Sequence, residues 1–491
     1  MLSLYFQNED PEFDLLFDSQ EEAQAYVDRY KQSVLADGSK VVAERVNFAP
    51  QPQSSMSVID QHTGYVKAIV GGRGEKTASL TLNRATDTTR QPGSTFKVVS
   101  TYAPALNEKG MTLATTFEDE PYNYPDGSPV ENASRTYGGT TTIRRAIRNS
   151  INVVAVKCLE EVTPELGLQY LDNFGFTTLA HGTEADTDAN GTVWTDANLP
   201  LALGGLTHGV TNVELCAAYA AIANQGNYIE PLYYTKILDH NGNVLIEKTS
   251  AERSVIKEST AWLLTSAMED VVKSGTGTAC QLDNMTVAGK TGTTDDYNDL
   301  WFVGYTPYYT CAVWSGFDNN EKLPDDYSRD FHKDMWRKVM TRIHEGLEDK
   351  DFEMPSTVEK ISVCADTGLL PRSGCSVITE FFDVGDVPTD YCEEHFYEPE
   401  PVIPEYTYDE TIIPEPSLTP ENPDENGDQG DGNTDNGDAG GEGNGGDDTG
   451  SGDTGGGDTG DGDTGGGDVG GGDTDGGDTG GGDAGGGEII E

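Results

Sequence analysis

Three short motifs in this chain combine residue types that can turn a serine into a nucleophile. In chain order they are residues 94–97 (STFK), residues 150–152 (SIN) and residues 289–293 (GKTGT). A serine hydroxyl is a poor nucleophile until a neighbouring base takes its proton, and a lysine that is neutral part of the time can be that base. The three motifs together therefore predict acyl transfer through a covalent acyl-serine.

The order of the motifs matters because each one is weak alone. An S-x-x-K pattern fixes two residues, so a chain of this length should contain about one by accident. Residues 254–257 (SVIK) form a second copy, but no S-x-N pattern lies between that copy and Lys290. We interpret the second copy as accidental. The four fixed residues of K-T-G-T are much rarer by chance.

The sequence around Ser94 predicts a helix that begins at this serine. Residues 91–93 (QPG) are turn-forming, and Lys97 would lie one turn after Ser94 on the same face. Pro104 should kink the helix about two turns beyond the site. The apolar face of this helix would consist of Phe96, Val98, Val99, Tyr102 and Leu106.

Ser150 and Asn152 are expected in a loop between two helices, within residues 142–158. A serine can relay a proton between a lysine and a leaving group, and an asparagine can bind a substrate amide. Taken alone, Ser150 also fits a helix cap. We expect burial and the second cation, Lys290, to lower the pKa of Lys97, as a base requires.

The third motif is expected on the edge strand of an antiparallel meander. Residues 285–288 (MTVA) precede it, and residues 300–305 and 310–317 have the composition of two further strands. The backbone N–H groups of Ser94 and Thr293 are the expected donors to an oxyanion.

Side chains of the same strand could hold a substrate carboxylate. Lys290 offers a cation, and Thr291 and Thr293 offer hydroxyl groups. Gly292 leaves the strand edge free of a side chain, so an extended substrate could lie along it as an added strand.

These motifs resemble those of the transpeptidase module of class A, bifunctional penicillin-binding proteins. The resemblance covers the chain from about Ser55 to Leu347. The longer blocks that carry it are residues 90–97 (RQPGSTFK), 137–139 (YGG), 201–209 (LALGGLTHG), 217–226 (AAYAAIANQG) and 289–307 (GKTGTTDDYNDLWFVGYTP).

The resemblance implies a role for each motif residue. Ser94 would be the acylated nucleophile, Lys97 its base and Ser150 a proton relay. Asn152 would contact a substrate amide. The carboxylate-binding strand would contribute Lys290, which we also count among the catalytic residues, with Thr291, Gly292 and Thr293. The implied reaction releases D-Ala from a peptidoglycan stem peptide that ends in D-Ala-D-Ala. The acyl group then passes to an amine on a neighbouring strand.

The resemblance also implies an α+β fold, shared by penicillin-binding transpeptidases and serine β-lactamases. A five-stranded antiparallel sheet would be flanked by helices, beside a mostly helical second subdomain. The first two strands would be residues 55–59 and 65–70, which turn at Gly64, and the helix at residues 334–346 would pack across the sheet.

We divide the chain into four regions. Residues 1–48 would be a remnant of an inter-module linker, with residues 2–13 a degraded form of the joining strand. Residues 49–348 would be the transpeptidase domain, residues 349–400 a small cysteine-containing extension, and residues 401–491 a disordered acidic tail. No signal or membrane segment and no glycosyltransferase domain was recognised, so a truncated or split gene product is expected. The resemblance implies an extracytoplasmic location on the cell-envelope side of the plasma membrane.

The charge of the chain limits its partners. The net charge is −54 and more than half of it lies outside the tail, which argues against nucleic acid and anionic membrane surfaces. The resemblance implies peptidoglycan stem peptides, β-lactam antibiotics and other cell-wall synthesis proteins as partners. No cofactor and no metal is expected.

Seven cysteines are too few for a disulfide scaffold in a chain of this length. Cys364 and Cys375 could form a disulfide in an exported protein. Those two residues with Cys392 and His395 could also form a zinc site, but the spacing is unlike common zinc motifs. Cys280 has no assigned role, and the cysteines expected in the core are Cys158, Cys216 and Cys311.

Two other functions remain open. One is a hydrolase on the same scaffold, either a D,D-carboxypeptidase or a β-lactamase. Class A β-lactamases need a carboxylate in an E-x-x-L-N setting, and here residues 165–169 (ELGLQ) place Gln169 where asparagine is needed. The other is a non-catalytic module that binds penicillin or peptides.

Overall fold

The computed structural model describes residues 2–395, apart from residues 12, 45, 47, 77–78 and 295–296. The predicted disordered tail, residues 401–491, lies outside the described residues. The strands are β1 Gln53–Asp60, β2 Tyr65–Val70, β3 Thr116–Asp119, β4 Tyr122–Asn123, β5 Pro129–Val130, β6 Gly139–Thr142, β7 Asn227–Ile229, β8 Lys236–Leu238, β9 Val244–Glu247, β10 Glu252–Ser254, β11 Ala288–Thr293, β12 Asp299–Tyr305, β13 Thr310–Gly316, β14 Val358–Cys364 and β15 Val377–Asp383.

Helices cover both faces of the main sheet and build most of the second subdomain. The α-helices are α1 Leu2–Gln7, α2 Gln20–Val34, α3 Ala103–Asn107, α4 Ile143–Asn149, α5 Asn152–Val162, α6 Pro164–Asn173, α7 Asn212–Ala223, α8 Glu258–Ser274 and α9 Phe331–Ile343. Short 3-10 turns occur at Gly93–Thr95, Glu184–Asp186, Leu199–Leu203 and Thr278–Cys280, and Lys97–Tyr102 forms a π-helix.

The predicted five-stranded antiparallel sheet is present, in the order β11-β12-β13-β1-β2. Its strands agree with the predicted segments to within two residues at most ends. The exception is β11, which begins at Ala288 rather than Met285. Met285 instead pairs with Leu282 in an isolated bridge. The third motif therefore lies within the edge strand itself.

Both faces of the sheet are buried at the central strands β12 and β13. All seven residues of β12 are buried, which explains why its sequence is a continuous apolar run without alternation. Trp301 and Tyr305 face the core formed with α7 and α8. Phe302 faces the opposite side, where its ring packs edge-on against Trp336 of α9 at 5.0 Å. The predicted packing of a helix from the 334–346 region across the sheet is thus confirmed.

The second subdomain is mostly helical, as predicted. Helices α3 to α6 surround the π-helix, and their buried side chains join the core that also covers one face of the sheet. Thr163 ends α5 and caps α6, where its side chain accepts a hydrogen bond from the backbone N–H of Leu166.

The expectation of a strand near the start of the chain is wrong. Leu2–Gln7 forms the short helix α1, and Phe6 is buried against the rings of Phe13 and Tyr26. The apolar residues of this segment pack against each other and against α2. Among the described residues, no strand pairs with this segment.

The cysteine-containing extension folds as an antiparallel hairpin of β14 and β15. Glu380 of β15 is almost fully buried and accepts two hydrogen bonds from the guanidinium of Arg144 in α4, at 2.6 and 2.7 Å. The ring of Phe381 packs edge-on against Trp262 of α8 at 4.7 Å. These contacts attach the hairpin to the helical subdomain.

No helix in the described ranges combines the length and hydrophobicity needed to span a bilayer.

Candidate active site

Ser94 lies in a tight turn rather than at the start of a regular α-helix. The 3-10 turn Gly93–Thr95 is followed by the π-helix Lys97–Tyr102 and then by α3. The prediction of one kinked α-helix is therefore wrong in geometry. Pro104 sits in the first turn of α3, where a missing N–H costs nothing, so the wide π turns take up the change of direction.

Three hydrogen bonds hold the Ser94 turn against its neighbours. The hydroxyl of Thr95 donates to the Pro92 carbonyl at 2.8 Å, and the hydroxyl of Tyr219 donates to the Thr95 carbonyl at 2.7 Å. The indole N–H of Trp301 donates to the Gln91 carbonyl at 2.9 Å. The turn is consequently fixed to both α7 and β12.

Lys97 is completely buried and points toward the SIN loop. Its Nζ donates to the Ser150 carbonyl at 2.7 Å and to the Asn152 Oδ1 at 2.6 Å, and lies 3.4 Å from the Ser150 Oγ. Among the described residues the partly exposed Ser94 side chain has no hydrogen-bond partner. Its hydroxyl is therefore free to turn toward Lys97 or toward a substrate.

Lys290 meets the same serine from the sheet side. Its buried Nζ donates to the Ser150 Oγ at 2.8 Å and to the Thr291 carbonyl at 3.0 Å. Ser150 ends α4 in the left-handed conformation, with φ of 57°. The helix-cap interpretation and the proposed site role of Ser150 are thus compatible, because the cap directs the hydroxyl between the two ammonium groups.

Burial makes both lysines unusually acidic. It lowers the pKa of Lys97 well below the ordinary value of 10.5, and repulsion from the Lys290 cation lowers it further. Burial lowers the pKa of Lys290 to about 7. Both shifts favour the neutral amine, which is the form that can accept a proton.

Asn152 is held by a residue that the sequence analysis missed. Buried Asn132 accepts hydrogen bonds from the backbone N–H groups of Asn152 at 2.9 Å and Val153 at 3.2 Å, which caps α5. Asp119 in turn accepts from the Asn132 amide at 2.7 Å. The side-chain Nδ2 of Asn152 donates to the Glu131 carbonyl at 2.7 Å. In this structure the Asn152 amide therefore positions Lys97.

The edge strand β11 lies directly against the Ser94 turn. A methyl group added to Gly292 would meet the Pro92 carbonyl oxygen at 2.5 Å, and one added to Gly93 would meet the Thr293 carbonyl oxygen at 2.8 Å. Only glycine permits this approach of the two backbones. Thr291 lies on the same strand, with its hydroxyl 2.6 Å from that of Thr276.

A cavity of about 510 Å³ opens over these elements. Ser94, Asn152 and Thr293 line it, together with residues that the sequence analysis did not select, such as Trp194 and Tyr124. These aromatic residues occur in irregular segments without periodicity, so no sequence signal marked them. The cavity lining does not include Lys97, Ser150, Lys290 or Thr291.

The two aspartates near the cavity already accept hydrogen bonds from other protein groups. Asp196 accepts from the backbone N–H and the hydroxyl of Thr207, both at 2.7 Å, and Asp299 accepts from the indole of Trp314 at 2.8 Å. Glu165 is exposed in the first turn of α6 and is absent from the cavity lining. Among the described residues, none of these carboxylates is placed to activate a water beside Ser94.

The accidental S-x-x-K copy lies elsewhere. Ser254 ends β10, and Lys257 precedes α8 on the surface. Neither residue lines the cavity.

The cysteines differ partly from expectation. All are free, so a disulfide between Cys364 and Cys375 is not formed. Their thiols instead approach Cys392 and His395, because the chain brings three separate segments together there. The core cysteines Cys158, Cys216 and Cys311 are fully buried as predicted, and so is Cys280.

Comparison with models of known protein families assigns this chain to a family. The family described as penicillin binding protein transpeptidase domain matches residues 55–341, which is more than half of the chain. This chain belongs to the penicillin-binding protein transpeptidase family. A second family, described as the C-terminal domain of penicillin-binding protein 1A, matches residues 354–397. The resemblance predicted from the motifs is confirmed.

Relatives and solved structures of the family agree with this assignment. Penicillin-binding protein 1A of Clostridium botulinum is 34% identical over 382 residues, a match that covers 74% of this chain and 44% of the relative. The chain thus spans less than half the length of that relative.

Two solved structures share the fold. Penicillin-binding protein 1A of Haemophilus influenzae matches with a TM-score of 0.59 at 23% identity. The match covers 71% of this chain and 55% of the Haemophilus chain. The PonA1 protein of Mycobacterium tuberculosis in complex with penicillin V matches with a TM-score of 0.54 at 25% identity, over 69% and 86% of the two chains.

Proposed function

We propose that this family member is a D,D-transpeptidase that forms peptidoglycan cross-links through an acyl-enzyme on Ser94. The donor would be a stem peptide that ends in D-Ala-D-Ala, and β-lactams would acylate the same serine. Its substrates would lie on the outer side of the plasma membrane. The observation that carries the proposal is the convergence of two buried lysines on the Ser150 hydroxyl, at 2.8 and 3.4 Å, beside the free hydroxyl of Ser94.

The first step transfers a proton from Ser94 to neutral Lys97. The tight 3-10 turn favours this step because positions i and i+3 lie on the same side of such a turn. The Ser94 oxygen then attacks the carbonyl carbon of the penultimate D-Ala. The backbone N–H groups of Ser94 and Thr293 would stabilise the oxyanion, and removing one such donor typically slows acyl transfer about 100- to 1,000-fold.

Collapse of the tetrahedral intermediate breaks the peptide bond and releases the terminal D-Ala. Its nitrogen receives the proton, which would pass from Lys97 through the Ser150 hydroxyl. The Lys290 cation, with the hydroxyls of Thr291 and Thr293, would bind the substrate carboxylate. An acceptor amine then attacks the acyl-serine, gives up a proton to Lys97 and restores Ser94.

The pattern of carboxylates supports acyl transfer to an amine over a class A β-lactamase mechanism. Such a hydrolase needs a free carboxylate beside the acyl-serine, and Asp196 and Asp299 are held by protein donors. Glu165, which the sequence offered for this role, is exposed on α6.

A donor peptide with an acceptor tests the proposal. The purified chain is incubated with a stem pentapeptide that ends in D-Ala-D-Ala and with a D-amino acid amine, and both products are measured by mass spectrometry. We expect D-Ala release together with the new amide. Release without amide at saturating acceptor would indicate a carboxypeptidase, and no release by a folded, acylation-competent protein would indicate a binding module.

A further inference from the structure

Four potential metal ligands meet beside the hairpin of the C-terminal extension. Cys364 ends β14, Cys375 lies in the turn before β15, and Cys392 and His395 follow β15. One sulfur or ring nitrogen from each residue lies within 4.8 Å of every other. Cys364 and Cys392 are fully buried. This cluster is formed by segments on both sides of the hairpin and contributes nothing to the active-site cavity.

The spacing of these atoms fits a small tetrahedral site. The Nδ1 of His395 lies 3.5 Å from the Cys364 Sγ and 3.3 Å from the Cys392 Sγ. Zinc bonds of about 2.3 Å to sulfur and 2.0–2.1 Å to nitrogen place ligand atoms roughly 3.5 Å apart in a tetrahedron. The two distances from His395 match this spacing, and all four ligand atoms lie within 4.8 Å of one another.

We propose that Cys364, Cys375, Cys392 and His395 bind one structural zinc ion. Three thiolates and an imidazole are soft donors that select zinc over calcium or magnesium. Four protein ligands fill the tetrahedron, so the ion has no open position for a substrate or a reactive water. The proposed ion stabilises the extension and takes no part in acyl transfer.

Neighbouring groups already orient the ligands. A carboxylate oxygen of Asp366 lies 3.4 Å from the Nε2 of His395, which directs the other ring nitrogen toward the cysteines. The backbone N–H of Arg372 donates to the Cys375 Sγ at 3.3 Å. Carboxylate–histidine pairs and N–H···S contacts of this kind are the usual outer contacts of metal ligands.

Backbone hydrogen bonds fix the segments that carry the cysteines. The N–H of Cys364 donates to the Leu369 carbonyl and that of Cys392 to the Leu370 carbonyl, both at 2.8 Å. Leu370 also pairs with Tyr391 in a parallel bridge. The two buried cysteines are thus attached to adjacent residues of one loop, which keeps their sulfur atoms close without a covalent bond.

The extension needs such a link because its own core is small. The buried apolar residues of its cluster are Ala114, Val363 and Phe382, and Ala114 belongs to the transpeptidase domain. An isolated two-stranded hairpin is marginal in water. A zinc ion supplies this stabilisation at the end of the hairpin that carries Cys364.

The irregular spacing explains why the sequence alone did not favour this site. Common zinc motifs pair their cysteines two to four residues apart, roughly. Here only Cys392 and His395 form such a pair, and Cys364 and Cys375 come from separate segments.

Metal analysis of the full-length protein tests the proposal. The protein is purified without chelators, and zinc is measured per chain by mass spectrometry of the element. We expect one zinc per chain. Replacement of zinc by Co²⁺ should give the intense visible bands of tetrahedral coordination and a thiolate charge-transfer band.

Matched variants identify the ligands. His395→Ala and Cys375→Ser should weaken zinc binding at least about 100-fold, and Asp366→Asn should weaken it about 10- to 100-fold while the four ligands remain. Cys280→Ala removes a buried cysteine of a different segment and should retain one zinc.

Three results would overturn the proposal. The first is an unchanged metal content in both ligand variants, and the second is no zinc bound by the reduced, folded wild-type chain. The third is a Cys364–Cys375 disulfide found by peptide mapping of protein isolated without reductant. Penicillin labelling serves as the folding check for every variant, because the proposed zinc does not take part in acylation.

Discussion

At the residue scale, the site depends on two buried ammonium groups that share one hydroxyl. Lys97 and Lys290 both lie close to the Ser150 Oγ, and each has a lowered pKa. Two adjacent buried cations cannot both remain protonated without cost, and we propose that Lys97 becomes the base while Lys290 stays an electrostatic anchor. This division of roles follows from burial and repulsion rather than from residue type.

Replacing the proposed base tests this division. Lys97→Met should lower the rate of penicillin acylation about 100- to 10,000-fold, because that is the usual contribution of a positioned general base. The fold should survive, since methionine fills the buried space without a charge. Stopped-flow labelling measures the rate. Lys257→Met, in the second S-x-x-K copy, should acylate like the wild type, and equal rates for both variants would refute the role of Lys97.

The pH profile of acylation tests the pairing of the two lysines. The second-order rate should rise as pH increases through the pKa of Lys97, because only the neutral amine accepts a proton. It should fall again above about pH 7, where Lys290 loses the charge that binds the carboxylate. Lys290→Arg keeps its charge at higher pH and should move the alkaline limb upward. An alkaline limb that stays in place would contradict the assignment to Lys290.

At the element scale, the decisive contact is between the edge strand β11 and the turn that carries Ser94. Gly93 and Gly292 allow the two backbones to approach within distances that a Cβ atom would block. This approach sets the position of the Thr293 backbone relative to the serine. The proposed oxyanion site therefore depends on two glycines that do no chemistry.

A methyl group added at Gly292 should push β11 away from the turn that carries Ser94. Gly292→Ala places a Cβ 2.5 Å from the Pro92 carbonyl oxygen, so β11 or the turn must shift. We expect the acylation rate to fall at least about 10-fold, as a displaced oxyanion donor would cause. Gly138→Ala is the control, because its Cβ meets its nearest neighbour at an ordinary 3.4 Å. Equal acylation rates in both variants would show that the contact has no influence.

Elements with simple patterns could be predicted from the sequence. Strands β12 and β13 of the meander follow short apolar runs between turn residues, the three motifs mark the walls of the site, and helix α9 was expected from the family resemblance. The π-helix and the capping role of Asn132 could not be predicted. No periodicity in residues 97–102 marks the π-helix, and Asn132 acts across 20 residues of chain on α5.

The sequence pattern also failed to predict the conformation of short segments that pack against local partners. Leu2–Gln7 has the composition of a strand, but Phe6 finds its aromatic partners in α2 and the segment becomes helical. Propensity is a weak guide where a few buried contacts decide the conformation.

At the scale of the whole molecule, the extension is attached to the transpeptidase domain by a buried ion pair. Arg144 donates to Glu380 of the hairpin and, at 2.8 Å, to Asp270 of α8. Glu380 is nearly inaccessible, whereas the side chain of Asp270 is 32% exposed. The contribution of each carboxylate to stability should differ accordingly, because solvent screens the exposed one.

This difference can be measured in unfolding experiments. Glu380→Ala should lower the free energy of unfolding by about 3–5 kcal/mol, because it leaves a buried guanidinium with one partner fewer. Asp270→Asn should cost about 1 kcal/mol or less, as partly exposed ion pairs do. Urea denaturation of both full-length variants provides the comparison. Equal losses would contradict a buried role for Glu380.

Covalent acylation by penicillin tests the central claim most directly. Intact-mass spectrometry of the full-length chain after incubation with penicillin should show a single adduct, and peptide mapping should locate it on Ser94. The adduct should be absent from Ser94→Ala and present in Ser254→Ala, which alters the serine of the second S-x-x-K copy. An adduct that persists in folded Ser94→Ala, or the absence of any adduct in the folded wild type, would contradict this account of the site.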